Sequence, residues 1–384
     1  MNTLIFVLLL YLSFSLSEKI SAFDNDRLWN NIISKSDPLE LLLNSKVEQT
    51  FMDLEIPGAI VGVWKGDSDN YIKTFGVSDI VTNTPINTDD HMRIGSITKT
   101  FTGTVLLQLY DENKINLTDK LSKYFPDFPN GENITIDMLG SMTSGIYNYS
   151  ENENFQNTLM NNLDTTFTPD ELIDIAKAHT PYFPPGEGFH YSNSNTVLLG
   201  LIIEKITGNS LTSEIQNRIF TPLGMINSLF ATDTYFPDPK SQGYIYMDSL
   251  QLTPTDVTNQ DPTWAWAAGA VISTLADVHK YAKKLATGEL ISKKAQDERL
   301  KWGKTFIPET GAWKGEKLNY GFAIADFNGA IGHNGGIPGY NSFMGYLPEQ
   351  DVTIIVLCNM QDNKAGVGPA DYIARMIVEI ILKN

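Results

Sequence analysis

The chain has 384 residues, of which 42% are hydrophobic and 19% are charged, and its formal net charge at pH 7 is −17. A chain of this length can form one large domain or about two to three domains of ordinary size. Because so acidic a surface repels phosphate groups, the composition argues against binding to nucleic acids or to anionic lipid surfaces.

The N-terminal residues 1–17, MNTLIFVLLLYLSFSLS, form an uncharged apolar run that ends before Glu18 and Lys19. The run is too short to cross a bilayer comfortably, and Ser15 and Ser17 are small residues that suit a cleavage site. We predict a signal peptide over residues 1–17 and a secreted or periplasmic mature protein, residues 18–384, with no membrane contact after cleavage. An uncleaved N-terminal anchor is the alternative, because no charged side chain precedes the apolar run.

Short segments rich in β-branched and aromatic residues predict strands towards both ends of the chain. Ala59–Trp64 and Tyr71–Val77 predict a hairpin. Tyr320–Asp326 and Ala330–His333 flank Asn328-Gly329, a strong signal for a two-residue hairpin loop. Two further strands and a terminal helix are predicted at Asn341–Leu347, Val352–Asn359 and Asp371–Leu382.

The middle of the chain is predicted to be helical. Ile97, Phe101, Val105 and Leu109 recur every four residues and predict a buried stripe on a helix that begins at Ser96. Other helices are predicted after the capping box Thr168–Glu171, over Val197–Ile206 and over Thr274–Leu285.

The order of these elements predicts one domain of the α/β (α+β) class. Residues of about 23–95 and 268–384 are expected to form an antiparallel sheet flanked by helices, and about 96–267 an all-helical subdomain. We expect a substrate site in the cleft between the two parts.

Ser96 and Lys99 are three residues apart at the start of the first predicted helix of this middle region. Residues at that spacing share a helix face, so the lysine amine can reach the serine hydroxyl and take its proton. An S-x-x-K spacing occurs about once by chance in a chain of this length, so its meaning depends on other residues.

The segment Phe189–Asn193 supplies two more candidates. A lysine ammonium nearby would favour the phenolate of Tyr191, which could then act as a general base. Asn193 has an amide that can both donate and accept hydrogen bonds. For Tyr191, a buried ring with a hydrogen-bonded hydroxyl is the alternative.

The glycine-rich stretch Gly332–Gly336 follows the predicted Asn328-Gly329 loop. Glycines on an edge strand allow a substrate backbone to approach closely. An N–H group there can form an oxyanion hole with the N–H group of Ser96, and such a hole stabilises the transition state by about 3–4 kcal/mol. An ordinary bulge or turn is the alternative. Trp264 is expected either to line the cleft or to pack in the core.

Cys358 is the single cysteine, and its place in a predicted strand indicates a buried residue that is not a nucleophile. His91, His179, His190 and His279 are too scattered to indicate a metal site. The chain also lacks a dinucleotide-binding motif, so we predict neither a metal nor another cofactor.

Together these residues resemble the penicillin-recognising serine hydrolases, which include class C β-lactamases, secreted D-alanyl-D-alanine carboxypeptidases, D-aminopeptidases and related esterases. The resemblance covers nearly the whole mature chain. The motifs that carry it are Arg93–Phe101, Met138–Ile146, Tyr191–Asn193, Ile219–Met225, Ala268–Ser273 and His333–Gly335.

The resemblance implies a β-lactamase/transpeptidase-like fold and a mechanism through an acyl-enzyme. Ser96 would attack the acyl carbon, and Lys99 and Tyr191 would move protons, with either of them as the acylation base. Asn193 would contact the substrate amide, and His333 would hydrogen-bond Tyr191 or the substrate.

The resemblance also places the N–H groups of Ser96 and Gly336 in the oxyanion hole. The secreted carboxypeptidases share a histidine at the His333 position, but they have a hydroxyl residue where this chain has Gly336 and a threonine where it has Asn334. They also hold the substrate carboxylate with an arginine, whereas Leu318–Gly332 contains no Lys or Arg.

These differences shift the expected activity from a strict carboxypeptidase to a hydrolase of peptides or similar small amides that contain D-residues, with β-lactams as further candidate ligands. β-Lactamase and short-chain esterase activities are the alternatives within the family. A catalytically idle binding protein is the alternative outside enzymes, although the intact Ser96, Lys99 and Tyr191 set argues against it.

Overall fold

The computed structural model describes residues 38–66, 69–247, 250–309 and 311–383. The chain divides into two units, Met1–Lys46 and Val47–Asn384. Of the first unit only residues 38–46 are described, as the beginning of helix α1 (Pro38–Leu54). The predicted signal peptide, residues 1–17, lies outside the described residues.

An antiparallel sheet contains nine of the described strands, in the order β3-β2-β1-β14-β13-β12-β11-β10-β9. These strands are β1 (Gly58–Lys65), β2 (Asp69–Asp79), β3 (Thr84–Pro85), β9 (Lys304–Phe306), β10 (Leu318–Tyr320), β11 (Ala325–Phe327), β12 (Ala330–Ile337), β13 (Tyr340–Leu347) and β14 (Val352–Cys358).

Segments towards both ends of the chain build this sheet, as the sequence predicted. The N-terminal hairpin β1–β2 joins the C-terminal strands through β14, with Ala59 opposite Cys358 and Lys65 opposite Val352. Every residue of β13 and β14 is buried, and β14 is apolar at every position except Thr353. Cys358 is buried in β14, as expected, and burial raises the pKa of its thiol.

The prediction of a single strand over Tyr320–Asp326 is wrong. Its residues form the ends of two strands, β10 and β11, with Tyr320 opposite Ala325 around a tight turn. Gly321 N–H donates to Ile324 O across the turn, and a Cβ at Gly321 would lie 2.2 Å from Arg299 O. The chain therefore reverses at the point where only glycine fits against a neighbouring backbone.

The helices confirm the predicted apolar stripes. The predicted core residues Phe101, Val105 and Leu109 of α2 (Thr98–Asp111) are fully buried, as is Ile97 in the short turn just before this helix. The Thr168 capping box is present, and Gly208 and Gly288 end two other helices with left-handed backbones.

The helices that follow α1 have these bounds: α2 (Thr98–Asp111), α3 (Ile136–Gly140), α4 (Glu153–Asn161), α5 (Pro169–Lys177), α6 (Asn193–Thr207), α7 (Leu211–Ile215), α8 (Thr221–Leu223), α9 (Leu275–Thr287), α10 (Lys293–Arg299) and α11 (Pro369–Lys383). Within the described ranges, no helix is long and apolar enough to cross a membrane.

The region predicted to be all-helical also contains three short strands, a feature that two-residue segments do not reveal in sequence. β5 (Leu229–Phe230) joins β4 (Met92–Arg93) and β8 (Val271–Ser273) in a small second sheet. The other two, β6 (Tyr244–Ile245) and β7 (Thr255–Asp256), pair with each other. The small sheet places the segment after β4, which contains Ser96, beside the segment that precedes β8.

The strand β12 is paired on both sides over its first part only. β11 pairs with it from Ala330 to Gly332, whereas β13 pairs with it as far as Ile337. Both hairpins have two-residue loops, and backbone groups alternate sides along a strand. The N–H groups of Asn334 and Gly336 therefore point to the edge that β11 leaves uncovered, where an extended substrate can pair.

Replacing Phe101 by alanine should lower the free energy of unfolding by about 3–5 kcal/mol. The fully buried ring stacks on Tyr281 at 4.1 Å and packs edge-on against Phe220 at 5.3 Å, so its loss leaves a cavity. Chemical denaturation measures the change. As a control, Val81→Ala, at a side chain that is 86% exposed, should change it by less than about 0.5 kcal/mol; equal losses would contradict the packing role of Phe101.

Candidate active site

Ser96 lies on a short 3-10 turn, Gly95–Ile97, that leads directly into α2. Gly95 has a φ of +49°, in the left-handed region that favours glycine. The strand β12 packs closely against this turn, since a Cβ at Gly335 would lie 2.1 Å from Ile94 O and 2.9 Å from Ser96 N. The glycines therefore allow the nucleophile and the open strand edge to approach each other.

Lys99 contacts Ser96 as the sequence spacing predicted. Its Nζ lies 2.8 Å from Ser96 Oγ and 2.8 Å from the carbonyl oxygen of Ala268. The side chain is fully buried, and burial holds the pKa of Lys99 well below its ordinary value. A neutral amine can donate to Ala268 and accept the Ser96 proton with its lone pair, so the geometry provides a general base.

Tyr191 lies on the other side of Lys99, whose Nζ is 4.8 Å from the centre of the phenol ring. The Tyr191 hydroxyl oxygen is buried and has no partner in normal hydrogen-bond geometry. Burial raises the pKa of Tyr191, and the weak influence of Ser96 in the opposite direction does not offset this. The structure thus favours a neutral phenol in the free protein, in contrast to the phenolate base considered from the sequence.

The backbone N–H groups of Ser96 and Gly336 lie close together beside the nucleophile. A Cβ at Gly95, the residue before Ser96, would lie 3.0 Å from both Gly336 N and Gly336 O. Because the Gly336 N–H points to the open edge of β12, the two donors can converge on one substrate oxygen. The arrangement has the form of an oxyanion hole.

Asn193 begins α6 next to the nucleophile. Its N–H donates to Asn148 Oδ1 at 3.0 Å, and its Nδ2 donates to Ser150 Oγ at 2.9 Å. These bonds fix the amide at the cleft wall with its carbonyl oxygen available to a ligand. Sequence analysis did not identify Asn148 and Ser150, because their role depends on a contact between distant segments.

His333 does not make the expected hydrogen bond to Tyr191, and the centres of the two rings are 6.1 Å apart. Its Nδ1 lies 2.6 Å from Asn334 O, and its Nε2 lies 3.0 Å from Tyr320 Oη. The carbonyl can only accept, so Nδ1 carries the proton and Nε2 accepts from Tyr320.

Burial lowers the pKa of His333 to about 3, a proton on Lys99 would add to this effect, and the bond to Asn334 opposes it. From the sequence, His333 is expected to hydrogen-bond Tyr191 or the substrate. In the structure the ring is 1% exposed, contacts Tyr320 and lines the cleft, so the contact with substrate stays a prediction.

Trp264 combines the two roles expected for it. It packs against the hydrophobic core, and it also lines a small pocket of about 20 Å³ with Ser96, Asn193 and Gly336. Its indole N–H is buried without a hydrogen-bond partner. A buried donor beside a nucleophile is available to a substrate acceptor.

The main cleft beside Ser96 has a volume of about 510 Å³ and a largely aromatic wall. Phe189 stacks on Phe306 at 4.7 Å, and Trp313 packs against Phe327 at 5.2 Å. Such a wall suits an apolar or aromatic substrate group. The sequence did not reveal it, because these rings come from separate segments and share no periodic pattern.

Asp371 is a further residue of this wall that the sequence analysis did not identify. It lies in the first turn of α11, where a carboxylate is common for structural reasons alone. In the described part of the cleft wall it is the only Asp, Glu, Lys or Arg side chain. The lack of a cation agrees with the lack of Lys and Arg in Leu318–Gly332.

Ser96 with the adjacent Lys99 amine, the buried Tyr191 phenol and the paired N–H groups occur together with a sequence match that covers most of the chain. The family described as Beta-lactamase matches residues 44–376. The chain belongs to the beta-lactamase family. The resemblance to penicillin-recognising hydrolases and the predicted fold class are thereby confirmed.

Among the family members, PbpX of Bacillus subtilis (strain 168) is 28% identical over 324 residues, which cover 83% of this chain and 75% of PbpX. A solved D-stereospecific amidohydrolase from Streptomyces sp. is 31% identical with a TM-score of 0.74, covering 83% of this chain and 95% of that one. The octameric penicillin-binding protein homologue from Pyrococcus abyssi is 28% identical with a TM-score of 0.74, covering 89% and 77%. The protein is thus a beta-lactamase-family serine hydrolase.

In this beta-lactamase-family protein, Gly335→Ala should lower the free energy of unfolding by about 1–3 kcal/mol, because the new Cβ clashes with the backbone of Ile94 and Ser96. Gly336→Ala is the matched control. A Cβ at Gly336 meets only Asn341 Nδ2, at 4.0 Å, so this variant should keep the wild-type melting temperature. Equal melting temperatures for the two variants would show that β12 does not pack as described.

His333 should remain neutral from pH 8 down to about pH 4, because its pKa lies far below the ordinary value of about 6.5. Two-dimensional NMR of protein labelled with ¹⁵N-histidine measures this state, and Tyr320→Phe should shift the Nε2 resonance by removing its donor. A titration of His333 near pH ~6.5 would contradict the buried position.

Proposed function

We propose that this protein is a secreted D-stereospecific amidohydrolase that forms an acyl-enzyme at Ser96. The observation that carries the proposal is the 2.8 Å contact between Ser96 Oγ and the amine of a buried Lys99 at the open edge of β12. The similarity to the Streptomyces amidohydrolase supports a D-residue in the substrate. The apolar run at residues 1–17 supports secretion.

Acylation begins when Ser96 Oγ attacks the amide carbon and its proton passes to the neutral Lys99 amine. Lys99 fits this role better than Tyr191, because burial lowers the pKa of the amine and raises that of the phenol. The N–H groups of Ser96 and Gly336 bind the negative oxygen of the tetrahedral intermediate. Such donors commonly lower the free energy of activation by about 3–4 kcal/mol.

The C–N bond then breaks, and the departing nitrogen needs a proton. Tyr191 is a neutral phenol with an unpartnered hydroxyl, so it can donate this proton and recover it from the Lys99 ammonium. In the second half, water attacks the acyl carbon and passes its proton to the neutral Lys99. The bond between the acyl carbon and Ser96 Oγ then breaks, and Lys99 returns the proton to Ser96 Oγ. The overall reaction converts an amide and water into a carboxylic acid and an amine.

The open edge of β12 and Asn193 would hold an extended substrate across the nucleophile. The aromatic wall suits a hydrophobic or aromatic side chain. A substrate with a free C-terminal carboxylate is less suitable, because the described cleft wall contains no Lys or Arg to bind it. Amides and internal peptide bonds next to D-residues therefore fit the cleft better than carboxypeptidase substrates.

The wild-type protein should gain the mass of one acyl group when it is incubated with an activated ester or a β-lactam, and Ser96→Ala should gain none. Lys99→Met should slow acylation by at least about a hundredfold, because the serine loses its base. Intact-mass spectrometry follows the label. Lys283→Met removes a partly exposed lysine that pairs with Asp351, and it should be labelled at the wild-type rate.

The wild-type protein should hydrolyse D-phenylalanine amide at least about tenfold faster than the L-enantiomer. Chiral chromatography of the released amino acid measures both rates. Labelling of Ser96 without amide hydrolysis would refute the amidohydrolase and leave β-lactam or ester chemistry, whereas an unlabelled wild type would refute the enzyme altogether.

A further inference from the structure

Asp371 projects from the first turn of α11 to the wall of the cleft. Trp313 Nε1 donates to one carboxylate oxygen at 3.3 Å, and Asn341 Nδ2 donates to the other at 3.4 Å. The side chain of Asn334, on the open edge of β12, also faces this carboxylate and lowers its pKa. Three neutral donor groups thus surround the carboxylate beside the strand that would bind the substrate.

No positive charge in the described residues compensates this carboxylate. Asp371 is 8% exposed and has no Lys or Arg partner there, and its charged neighbour, Asp362, repels it. Burial raises the pKa of Asp371 to about 6, so the group is ionised at neutral pH. A buried charge without a counter-ion is costly, and a positively charged ligand would remove much of that cost.

The position of Asp371 along β12 indicates which part of a substrate it meets. In the proposed reaction Gly336 binds the reacting carbonyl. Asp371 contacts Asn341, which pairs with Gly336, and faces Asn334, which lies two residues earlier on β12 at a distance of about 7 Å along the strand. Beyond Gly336 in the opposite direction, the small pocket of about 20 Å³ lies beside Trp264 and Ile337. The wide part of the cleft is therefore on the Asp371 side.

Tyr191 identifies this side as the one that receives the departing amine. Its ring faces Tyr320 at 6.0 Å, and Tyr320 in turn binds His333, the neighbour of Asn334. The nitrogen that Tyr191 protonates must lie next to its hydroxyl, on the same side of Ser96. The departing portion of the substrate consequently extends towards Asp371.

We propose that Asp371 is a specificity-determining residue that selects substrates whose departing portion carries a positively charged side chain, and that it rejects departing portions that carry a carboxylate. This inference rests on the proposed cleavage of D-residue amides at Ser96. A basic D-amino acid, such as D-lysine or D-ornithine, is the expected residue after the scissile bond. The ammonium of its side chain pairs with the Asp371 carboxylate in place of water.

Three substrates that differ only in the side chain of one residue, and hence in its charge, test the proposal: N-acetyl-D-Phe-D-Xaa-amides in which Xaa is lysine, norleucine or glutamate. All three lack a free C-terminal carboxylate, and norleucine matches lysine without the ammonium. We expect kcat/KM to decrease in the order lysine, norleucine, glutamate, with a difference of at least about tenfold between the two charged substrates. Chromatography of the released amino acid amide measures each rate.

Asp371→Asn should reduce the lysine-to-glutamate ratio of kcat/KM to near one, because it removes the charge and keeps the shape of the side chain. Glu379→Gln is the matched control. It removes one negative charge about two turns further along the same helix, where Glu379 pairs with Arg375 on the surface. That variant should keep the wild-type ratio.

A pH series on the wild type provides the same test without a variant. The ratio should be largest above about pH 6 and decrease below it, as Asp371 becomes protonated. The side chains that face Asp371 are the three neutral donors, Asp362 and the Cys358 thiol; burial raises the pKa of both Asp362 and Cys358. The lysine and glutamate side chains of the substrates stay ionised between about pH 5 and 7.5, so the change is assigned to the protein.

The three substrates, together with labelling of Ser96, distinguish the role of Asp371 from the proposed amidohydrolase function. Cleavage of all three substrates at similar rates, or fastest cleavage of the glutamate substrate, would overturn the role of Asp371 and leave the amidohydrolase intact. Failure to cleave any of them, with Ser96 still labelled by an activated ester, would overturn the proposed function and this inference with it. A preference for lysine that persists in Asp371→Asn would assign the selectivity to another group and also overturn the proposal.

Discussion

A lysine amine that is fully buried next to a serine is the constraint on which the rest of the site depends. Lys99 has two polar contacts, with Ser96 Oγ and Ala268 O, and burial disfavours its charged form. The enclosure comes from the packing of α2, whose apolar stripe fixes the turn before it. Because the amine can neither reach water nor pair with a carboxylate, it stays available as a base.

The second requirement is the close approach of β12 to the turn that carries Ser96. Two short hairpins set the register of β12, and a slip of one residue would turn the Gly336 N–H away from the nucleophile. Glycines at positions 95 and 335 remove the side chains that would keep the two backbones apart. Thus the oxyanion hole depends on strand register as much as on the identity of its residues.

The sequence predicted those features that depend on local patterns, such as the stripe of α2, the capping box and the hairpin at Asn328-Gly329. The sequence did not predict the features that depend on contacts between distant segments of the chain. The chain reverses at Gly321 because Arg299 O lies against it, and no property of Tyr320–Asp326 shows this. The neutral state of His333 likewise depends on burial under elements that the sequence does not bring together.

Burial lowers the pKa of Lys99 and raises the pKa of Tyr191, and both shifts favour the uncharged side chain. The lowered pKa of Lys99 favours the amine, the raised pKa of Tyr191 favours the phenol, and His333 is neutral. In the described cleft wall, Asp371 is the one side chain that is charged at neutral pH. Asp371 is therefore the source of negative charge in the described cleft wall, and burial disfavours the charged form of Lys99 beside Ser96. A substrate carboxylate meets repulsion in this cleft, whereas a neutral amide or an ammonium group does not.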